Sequence, residues 1–153
     1  MPLSAHEFER RLIFYASPTL TKLKVACMYN LNDLDDLEEC IDYYNEILKD
    51  NDIELIVITV EEKVVGYTII RYVDLKNIDL LKDRYYAYID EICIKETFRR
   101  QGLGKFLFEY IYNLVKNKGA DSLELGVWSF NKAALEFYKA MGMVEKNIRM
   151  EKK

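Results

Sequence analysis

The chain of 153 residues contains only one histidine, His6, and this scarcity removes several kinds of active site. A metal site built from several histidines is excluded, because no second imidazole is available. A Ser–His–Asp or His–Cys centre would depend entirely on His6, close to the beginning of the sequence. We therefore expect no metal centre and no nucleophile activated by histidine.

Cysteines and long apolar runs are also scarce. Cys27, Cys40 and Cys93 are odd in number and form no Cys-x-x-Cys motif, a pattern typical of free thiols in a reducing compartment. No apolar run approaches the ~18 residues of a membrane-spanning helix. Residues 1–10 lack the hydrophobic core of a signal peptide. These absences predict a cytoplasmic protein without a membrane partner.

The distribution of charge excludes a further class of partner. The formal net charge is −4, and lysine and arginine form no block of the kind that binds nucleic acids. Half of the residues are hydrophobic, which is too many for a disordered chain, and the length suits one domain. We expect one globular domain that binds no nucleic acid, with an acidic surface that favours an amine-bearing ligand.

Residues 92–105 contain the most informative pattern in the sequence. An apolar strand ends in a basic turn, and Gly102 and Gly104 then open an amphipathic helix. The first turn of a helix presents about four unpaired backbone N–H groups and a partial positive charge, and glycine leaves these groups accessible to an anion. The pattern therefore predicts a pyrophosphate-binding turn. Its cationic side chains are Arg99, Arg100 and Lys105.

Two familiar phosphate-binding motifs do not fit this turn. A P-loop requires a hydroxyl-bearing residue after Gly-Lys, and Phe106 follows Lys105 here. A dinucleotide-binding glycine triad requires a third glycine, and Phe106 and Leu107 occupy that position. We therefore expect a different diphosphate ligand.

The spacing Arg99-x-x-Gly102-x-Gly104 instead resembles the coenzyme A signature of the GNAT acyltransferase superfamily. Residues 126–143 resemble the second half of the same signature. The interval between the two motifs holds one predicted helix and one predicted strand, as this family requires. Together the two motifs cover about a third of the chain, and the joint match is specific.

The second motif contains residues with clear structural tasks. Asn131 can cap a helix, and Tyr138 lies two turns later on the same face. Gly142 can end the helix in a left-handed conformation. Met143 stands where the family usually has Phe, which is a mild apolar exchange.

The resemblance implies an α+β fold with three layers, the GNAT acyl-CoA N-acyltransferase fold. Its mixed, mostly antiparallel central sheet is splayed in the middle, between residues 85–94 and 122–127, and flanked by helices. Residues 31–153 would form the acetyltransferase core. Residues 1–30 would form an N-terminal extension, a helix plus a possible strand, packed on the core to give one domain in all.

Hydrophobic periodicity predicts the individual elements. Segment 20–29 is ambiguous, with a strand as one reading, and residues 74–84 are expected to form a loop. Helices are predicted over 4–16, 33–48 and 103–118, and from Asn131 onwards. Strands are predicted over 53–60, 64–73, 85–94, 123–127 and 143–150.

By the same resemblance, acetyl-CoA is the co-substrate and no metal is required. The backbone of Ile92, Cys93 and Ile94 would pair with the pantetheine arm like an added strand. The residues expected to bind the coenzyme are Ile92, Cys93, Ile94, Arg99, Arg100, Gln101, Gly102, Leu103, Gly104, Lys105, Asn131 and Tyr138.

Acyl transfer from a thioester to an amine needs a neutral amine and a proton for the departing thiolate. The resemblance implies Tyr138 as the general acid, although packing alone would also explain this residue. Asp90 is the first candidate for the base and Glu91 the second, and a solvated carboxylate at the strand edge is the alternative for each. Regular strand alternation would let only one of them face the cleft, unless a bulge intervenes. Tyr88 is expected to be a wall of the pocket.

The sequence therefore predicts an acetyl-CoA-dependent N-acetyltransferase that acts on a primary amine of a small molecule or protein. Direct transfer is favoured over an acyl-enzyme at Cys93, because a thiol on a buried strand is usually inert. The alternative is a catalytically silent acyl-CoA-binding regulatory or interaction domain. The acceptor, the acyl chain length and the choice between monomer and homodimer stay open.

Overall fold

The computed structural model describes residues 12–14, 46, 49–61 and 63–153. In this part of the chain, five strands form one sheet in the order β1-β2-β3-β4-β5. The strands are β1 (Leu12–Phe14), β2 (Ile53–Val60), β3 (Lys63–Asp74), β4 (Tyr85–Ile94) and β5 (Ser122–Leu125). The helices are a short 3₁₀ turn (Glu96–Phe98), α1 (Leu103–Asn117) and α2 (Lys132–Ala140).

The sheet is mixed and mostly antiparallel. Each of the pairs β1–β2, β2–β3 and β3–β4 is antiparallel, whereas β4 and β5 run parallel. The parallel connection passes through α1, as expected because parallel strands need a crossover segment between them. This topology agrees with the predicted fold class.

Helix α1 anchors the core against one face of the sheet. Its residues Leu103, Leu107, Ile111 and Val115 recur every four positions and are at most 1% exposed, which places them on one side of a helix. They pack in the same cluster as Ile56, Ile70, Ala87 and Ile89 of the sheet. The opposite face of β2 and β3 is also buried, at Leu55, Val57, Tyr67 and Ile69.

Most of the predicted elements in the described residues are confirmed. Strands β2 and β4 have the predicted limits, and β3 extends the predicted strand by one residue at each end. Helix α1 begins at Leu103, and Asn131 is the residue that caps α2. Strand β5 ends at Leu125, so Val127 lies beyond it. The predicted segments 20–29 and 33–48 lie outside the described residues, apart from helical Glu46.

Two predicted elements are wrong. Residues 12–14 belong to strand β1, not to a helix over 4–16, and pair with residues 56–58 of β2. The apolar segment Leu12-Ile13-Phe14 gains backbone partners at that edge, and such pairing overrides a local helical pattern.

The predicted final strand over 143–150 is absent from the structure of these residues. Its apolar side chains are exposed, with Val144 at 87% and Ile148 at 75%. The segment is tied down by side chains, through the ion pairs of Glu145 with Lys139 and of Lys146 with Glu124. Alternating polarity alone does not make a strand without a backbone ladder to a neighbour.

Two further structural findings concern membranes and metals. Among the described residues, no helix combines the length and the apolar character needed to cross a membrane. The same residues contain no cluster of three or more His, Cys, Asp or Glu side chains that could hold a metal ion.

Candidate active site

The sheet opens between β4 and β5. Their pairing ends where Ile89 faces Leu125, and β4 continues to Ile94, beyond its last residue paired with β5. The gap forms a cleft of about 520 Å³, bounded by β4, the segment after β5 and helix α2. The sheet is therefore splayed at the predicted place, and within the described part of the chain no strand follows this edge of β4 past Ile89.

A β-bulge interrupts β4 inside this cleft. Ile69 of β3 faces Glu91, whereas Ile70 faces Ile89, so Asp90 is the extra residue of the bulge. A bulge suspends the regular alternation of faces. As a result, Asp90 and Glu91 both line the cleft.

The two carboxylates have different partners on β3. Arg71 donates from Nε to Oδ2 of Asp90 at 3.0 Å, and its Nη2 lies 3.0 Å from the same oxygen. The hydroxyl of Tyr67 donates to Oε2 of Glu91 at 2.6 Å. The hydroxyl of Thr68 donates to the backbone carbonyl of Glu91 at 2.8 Å, which fixes the bulge. Asp90 is thus paired with a cation, and Glu91 accepts a hydrogen bond from a phenol.

Tyr138 lies on the α2 side of the cleft. Its ring is 6.0 Å from the ring of Phe108 and 5.2 Å from the ring of Phe137, measured between centroids. Burial raises the pKa of Tyr138 above its ordinary value of 10.0, because the charged phenolate is poorly solvated there. The phenol therefore keeps its proton at neutral pH and can donate it.

The turn before α1 has the features of an anion site. Gly102, the residue that caps α1, has φ = 83°, and no side chain caps the start of the helix with a hydrogen bond. Arg100 also has a positive φ, of 60°. Helix bonding begins with Phe106 N–H to Gly102 C=O. Within the described residues, the preceding N–H groups have no acceptor; they belong to Leu103, Gly104 and Lys105.

Most of the sequence matches one protein family. Residues 18–143 match the profile described as the acetyltransferase (GNAT) family. The chain belongs to the GNAT family.

Relatives of this GNAT chain include an uncharacterized N-acetyltransferase of Methanocaldococcus jannaschii, 32% identical over 106 residues. That match covers 69% of this chain and 46% of the relative. A ribosomal-protein alanine N-acetyltransferase of Escherichia coli is 33% identical over 63 residues, which cover 41% of this chain and 43% of the relative. The chain thus aligns with less than half the length of the curated relatives it matches.

Solved structures agree on the GNAT fold. A mutant protein from Bacillus halodurans superimposes with a TM-score of 0.76 at 22% sequence identity. The superposition covers 93% of this chain and 98% of the other. At this identity the likeness concerns the fold alone.

The GNAT cleft brings together part of the predicted site. Ile94 and the turn residues 99–105 do not line the cleft. The side chain of Leu103 is 1% exposed in the core, so only its backbone is available to a ligand. The predicted residues that line the cleft are Asp90, Glu91, Ile92, Cys93, Asn131 and Tyr138.

Asn131 and Cys93 have defined local roles in the cleft. The side-chain oxygen of Asn131 accepts from the backbone N–H of Ala134 at 3.2 Å, as predicted for a helix cap. Burial raises the pKa of the Cys93 thiol, and this effect outweighs the opposing influence of Arg99. A protonated thiol is a poor nucleophile.

Sequence reasoning missed Tyr67 and Trp128, which line the cleft, and Arg71, which pairs with Asp90 of the lining. Tyr67 and Arg71 become relevant only through the register of β3 against β4, for which the sequence has no local signal. Trp128 is 75% exposed and stacks on Phe130 with a centroid distance of 5.8 Å. Its position inside the second motif, three residues before the helix cap Asn131, was a usable signal. Tyr88 is not in the lining; its hydroxyl instead approaches Gly126.

Proposed function

We propose that this protein is an acetyl-CoA-dependent N-acetyltransferase that acts on a primary amine of a small molecule or protein. The observation that carries the proposal is the cleft between β4 and β5, where the Tyr138 phenol and the carboxylates of Asp90 and Glu91 line one space. A proton donor and a proton acceptor are the groups that aminolysis of a thioester requires. The names of GNAT relatives support the reaction class.

The turn before α1 fits the diphosphate of the coenzyme. The unpaired N–H groups at the start of the helix point at a position where a negative charge is stabilised. A left-handed conformation is costly for a residue such as Arg100, and such outliers concentrate at binding sites. The residues that would hold the coenzyme are the backbone of Ile92, Cys93, Ile94 and Leu103, together with Arg99, Arg100, Gln101, Gly102, Gly104, Lys105, Asn131 and Tyr138.

Acetyl-CoA supplies an acetyl group activated as a thioester. Glu91 or Asp90 accepts one proton of the ammonium form of the acceptor and passes it to solvent. The neutral nitrogen then forms the C–N bond with the acetyl carbon, the C–S bond breaks, and the electron pair stays on sulfur. Tyr138 donates its phenolic proton to that sulfur and recovers a proton that the acylated nitrogen loses. The net products are an amide, a thiol and one proton in solvent.

Two further proposals concern the cellular compartment of the protein and the class of its acceptor. We propose a cytoplasmic enzyme, because the cysteine within the described residues, Cys93, is a free thiol. The cleft is open to solvent on the side of exposed Trp128, so the acceptor amine can belong to a small molecule or to a protein. Monomer and homodimer are both compatible with this cleft.

Release of free thiol tests the proposal. The purified protein is incubated with acetyl-CoA and a panel of polyamines, amino acids and peptides, and the thiol is followed colorimetrically beside a calorimetric titration with coenzyme A. We expect binding of the coenzyme and amine-dependent thiol release. Binding without release on any amine would favour the silent acyl-CoA-binding domain, and no binding would refute both.

A further inference from the structure

Arg71 and Asp90 form an ion pair at the edge of the cleft. Arg71 lies on β3, where it faces Tyr88 across the ladder, and Asp90 is the extra residue of the bulge in β4. Nε and Nη2 of Arg71 both lie 3.0 Å from a single oxygen of Asp90, Oδ2. Asp90 itself lines the cleft. The ion pair therefore places a permanent positive charge beside the space in which the acceptor would bind.

This ion pair uses only part of the hydrogen-bonding capacity of its two side chains. A guanidinium carries five N–H donors in one plane, and Asp90 occupies the edge formed by Nε and Nη2. Within the described part of the chain, no hydrogen bond uses Nη1 of Arg71 or Oδ1 of Asp90. The two side chains are 42% and 30% exposed. The outer edge of the guanidinium, Nη1 with Nη2, can therefore receive a second carboxylate through two parallel hydrogen bonds.

The signs of the charges favour one class of ligand at this pair. A carboxylic acid bound to Arg71 would place a second negative group near Asp90, and like charges repel at this range. A simple amine bound to Oδ1 of Asp90 would leave the outer edge of Arg71 empty. A free α-amino acid carries an ammonium and a carboxylate on one carbon, so it supplies a partner to each side chain. The four charges then alternate in sign.

The same arrangement suits the reaction. An ammonium group at Oδ1 of Asp90 would hold the acceptor nitrogen in the cleft that Tyr138 also lines. Two charged contacts on one small ligand fix its orientation, and orientation of the attacking atom lowers the barrier to transfer. An amino acid within a protein has its carboxyl group in a peptide bond and lacks the negative charge that Arg71 would bind. Free amino acids are therefore better matched to this pair than protein N-termini.

We propose that Arg71 binds the α-carboxylate of a free amino acid, while Oδ1 of Asp90 receives its α-ammonium group. This role rests on the proposed N-acetyltransferase function and deepens it, because it names the class of acceptor. It holds whichever carboxylate of the bulge takes the proton from the nitrogen.

The first experiment tests the class of acceptor. Thiol release from acetyl-CoA is measured with L-amino acids that carry small, apolar, aromatic, acidic and basic side chains, and with the α-carboxamide of each. The carboxamide keeps the shape of the amino acid and removes its negative charge. Its amine is also less basic, so a preference for the acid cannot come from a larger neutral fraction. For the amino acids that the enzyme accepts, we expect kcat/KM to exceed that of the carboxamide about 100-fold.

The second experiment asks whether Arg71 causes this preference. We expect Arg71→Gln to reduce the acid-to-amide ratio of kcat/KM to about one, chiefly by raising KM for the amino acid, with KM for acetyl-CoA unchanged. Arg71→Lys keeps the charge without the planar fork, so it should retain a ratio of about ten. Any effect on kcat from releasing Asp90 acts on acid and amide alike and cancels in the ratio.

Arg84→Gln is the matched control. The Arg84 guanidinium also pairs with a carboxylate, that of Glu124, its side chain is 30% exposed, and neither residue lines the cleft. The substitution removes a comparable ion pair, so the acid-to-amide ratio should stay at the parent value. Thermal unfolding of each variant establishes that it is folded. If Arg71→Gln does not fold, the loss expected for Arg71→Lys decides the question.

The outcomes separate the role of Arg71 from the function on which it rests. A parent protein that releases no thiol with any amine refutes the N-acetyltransferase and, with it, the amino acid site. An active parent that turns over carboxamides, simple amines or peptides as well as free amino acids refutes the amino acid site alone. An active parent whose preference for the acid survives in the Arg71 variants overturns the assignment of that preference to Arg71.

Discussion

Replacing Tyr138 with phenylalanine should separate catalysis from packing in the cleft. The change removes one oxygen and keeps the ring against Phe108 and Phe137, at centroid distances of 6.0 and 5.2 Å. No hydrogen bond among the described residues uses the Tyr138 hydroxyl, so the free energy of unfolding should change by less than about 0.5 kcal/mol. Loss of a general acid should lower kcat about 100-fold, which corresponds to about 2.7 kcal/mol in the activation barrier.

Thiol release gives kcat for this comparison, and tryptophan fluorescence gives coenzyme binding. Trp128 is the single tryptophan of the chain and lines the cleft, so its emission reports directly on occupancy. Tyr112→Phe is a suitable control, because Tyr112 lies on α1, is 46% exposed and is not part of the cleft. A Tyr138→Phe variant that turns over as fast as the parent would remove the phenol from the mechanism. Equal losses in kcat and in coenzyme affinity would indicate a packing role instead.

Three further outcomes follow from the structure. Gly102→Ala forces a side chain into φ = 83°, so it should lower the free energy of unfolding by about 1–2 kcal/mol and weaken coenzyme binding in the fluorescence titration. Gly126→Ala would put its Cβ 2.9 Å from the Tyr88 hydroxyl, so it should cost about 1–3 kcal/mol in thermal unfolding, and Tyr88→Phe in the same chain should restore part of it. Burial raises the pKa of Glu124, but hydrogen bonds from Lys146 and Arg84 outweigh this effect and lower that pKa below 4.5. The resulting stabilisation of the fold is present above pH 4.5 and is lost as the pH falls through the lowered pKa. Glu124→Gln should therefore weaken the fall in the free energy of unfolding at acid pH, measured by denaturant unfolding at a series of pH values.

Local signals in the sequence account for much of this fold. The strands 53–60 and 85–94 are apolar runs closed by turn residues, and their limits are reproduced. Helix α1 follows from its regular apolar stripe, and the cap of α2 from Asn131. These features depend on residues close together in the chain, where periodicity and capping rules apply.

The remaining features could not be predicted from the sequence, because they depend on pairing between distant segments. The segment 12–14 became a strand because β2 offers it an edge, and residues 143–150 formed none because their alternation found no ladder. The bulge at Asp90 is a local excess in one strand relative to its partner, so it exists only once the register of β3 and β4 is known. Without it, the alternation rule admitted one carboxylate to the cleft, whereas the structure admits two.

The parallel β4–β5 crossover has a practical consequence for anyone who engineers this protein. The candidate proton acceptors at the bulge and the candidate anion turn at Gly102 stand on a single uninterrupted stretch from Asp90 to Lys105. Grafting that stretch would carry the candidate proton acceptors and the anion turn together but leave Tyr138 behind, while an insertion inside it would disturb both at once.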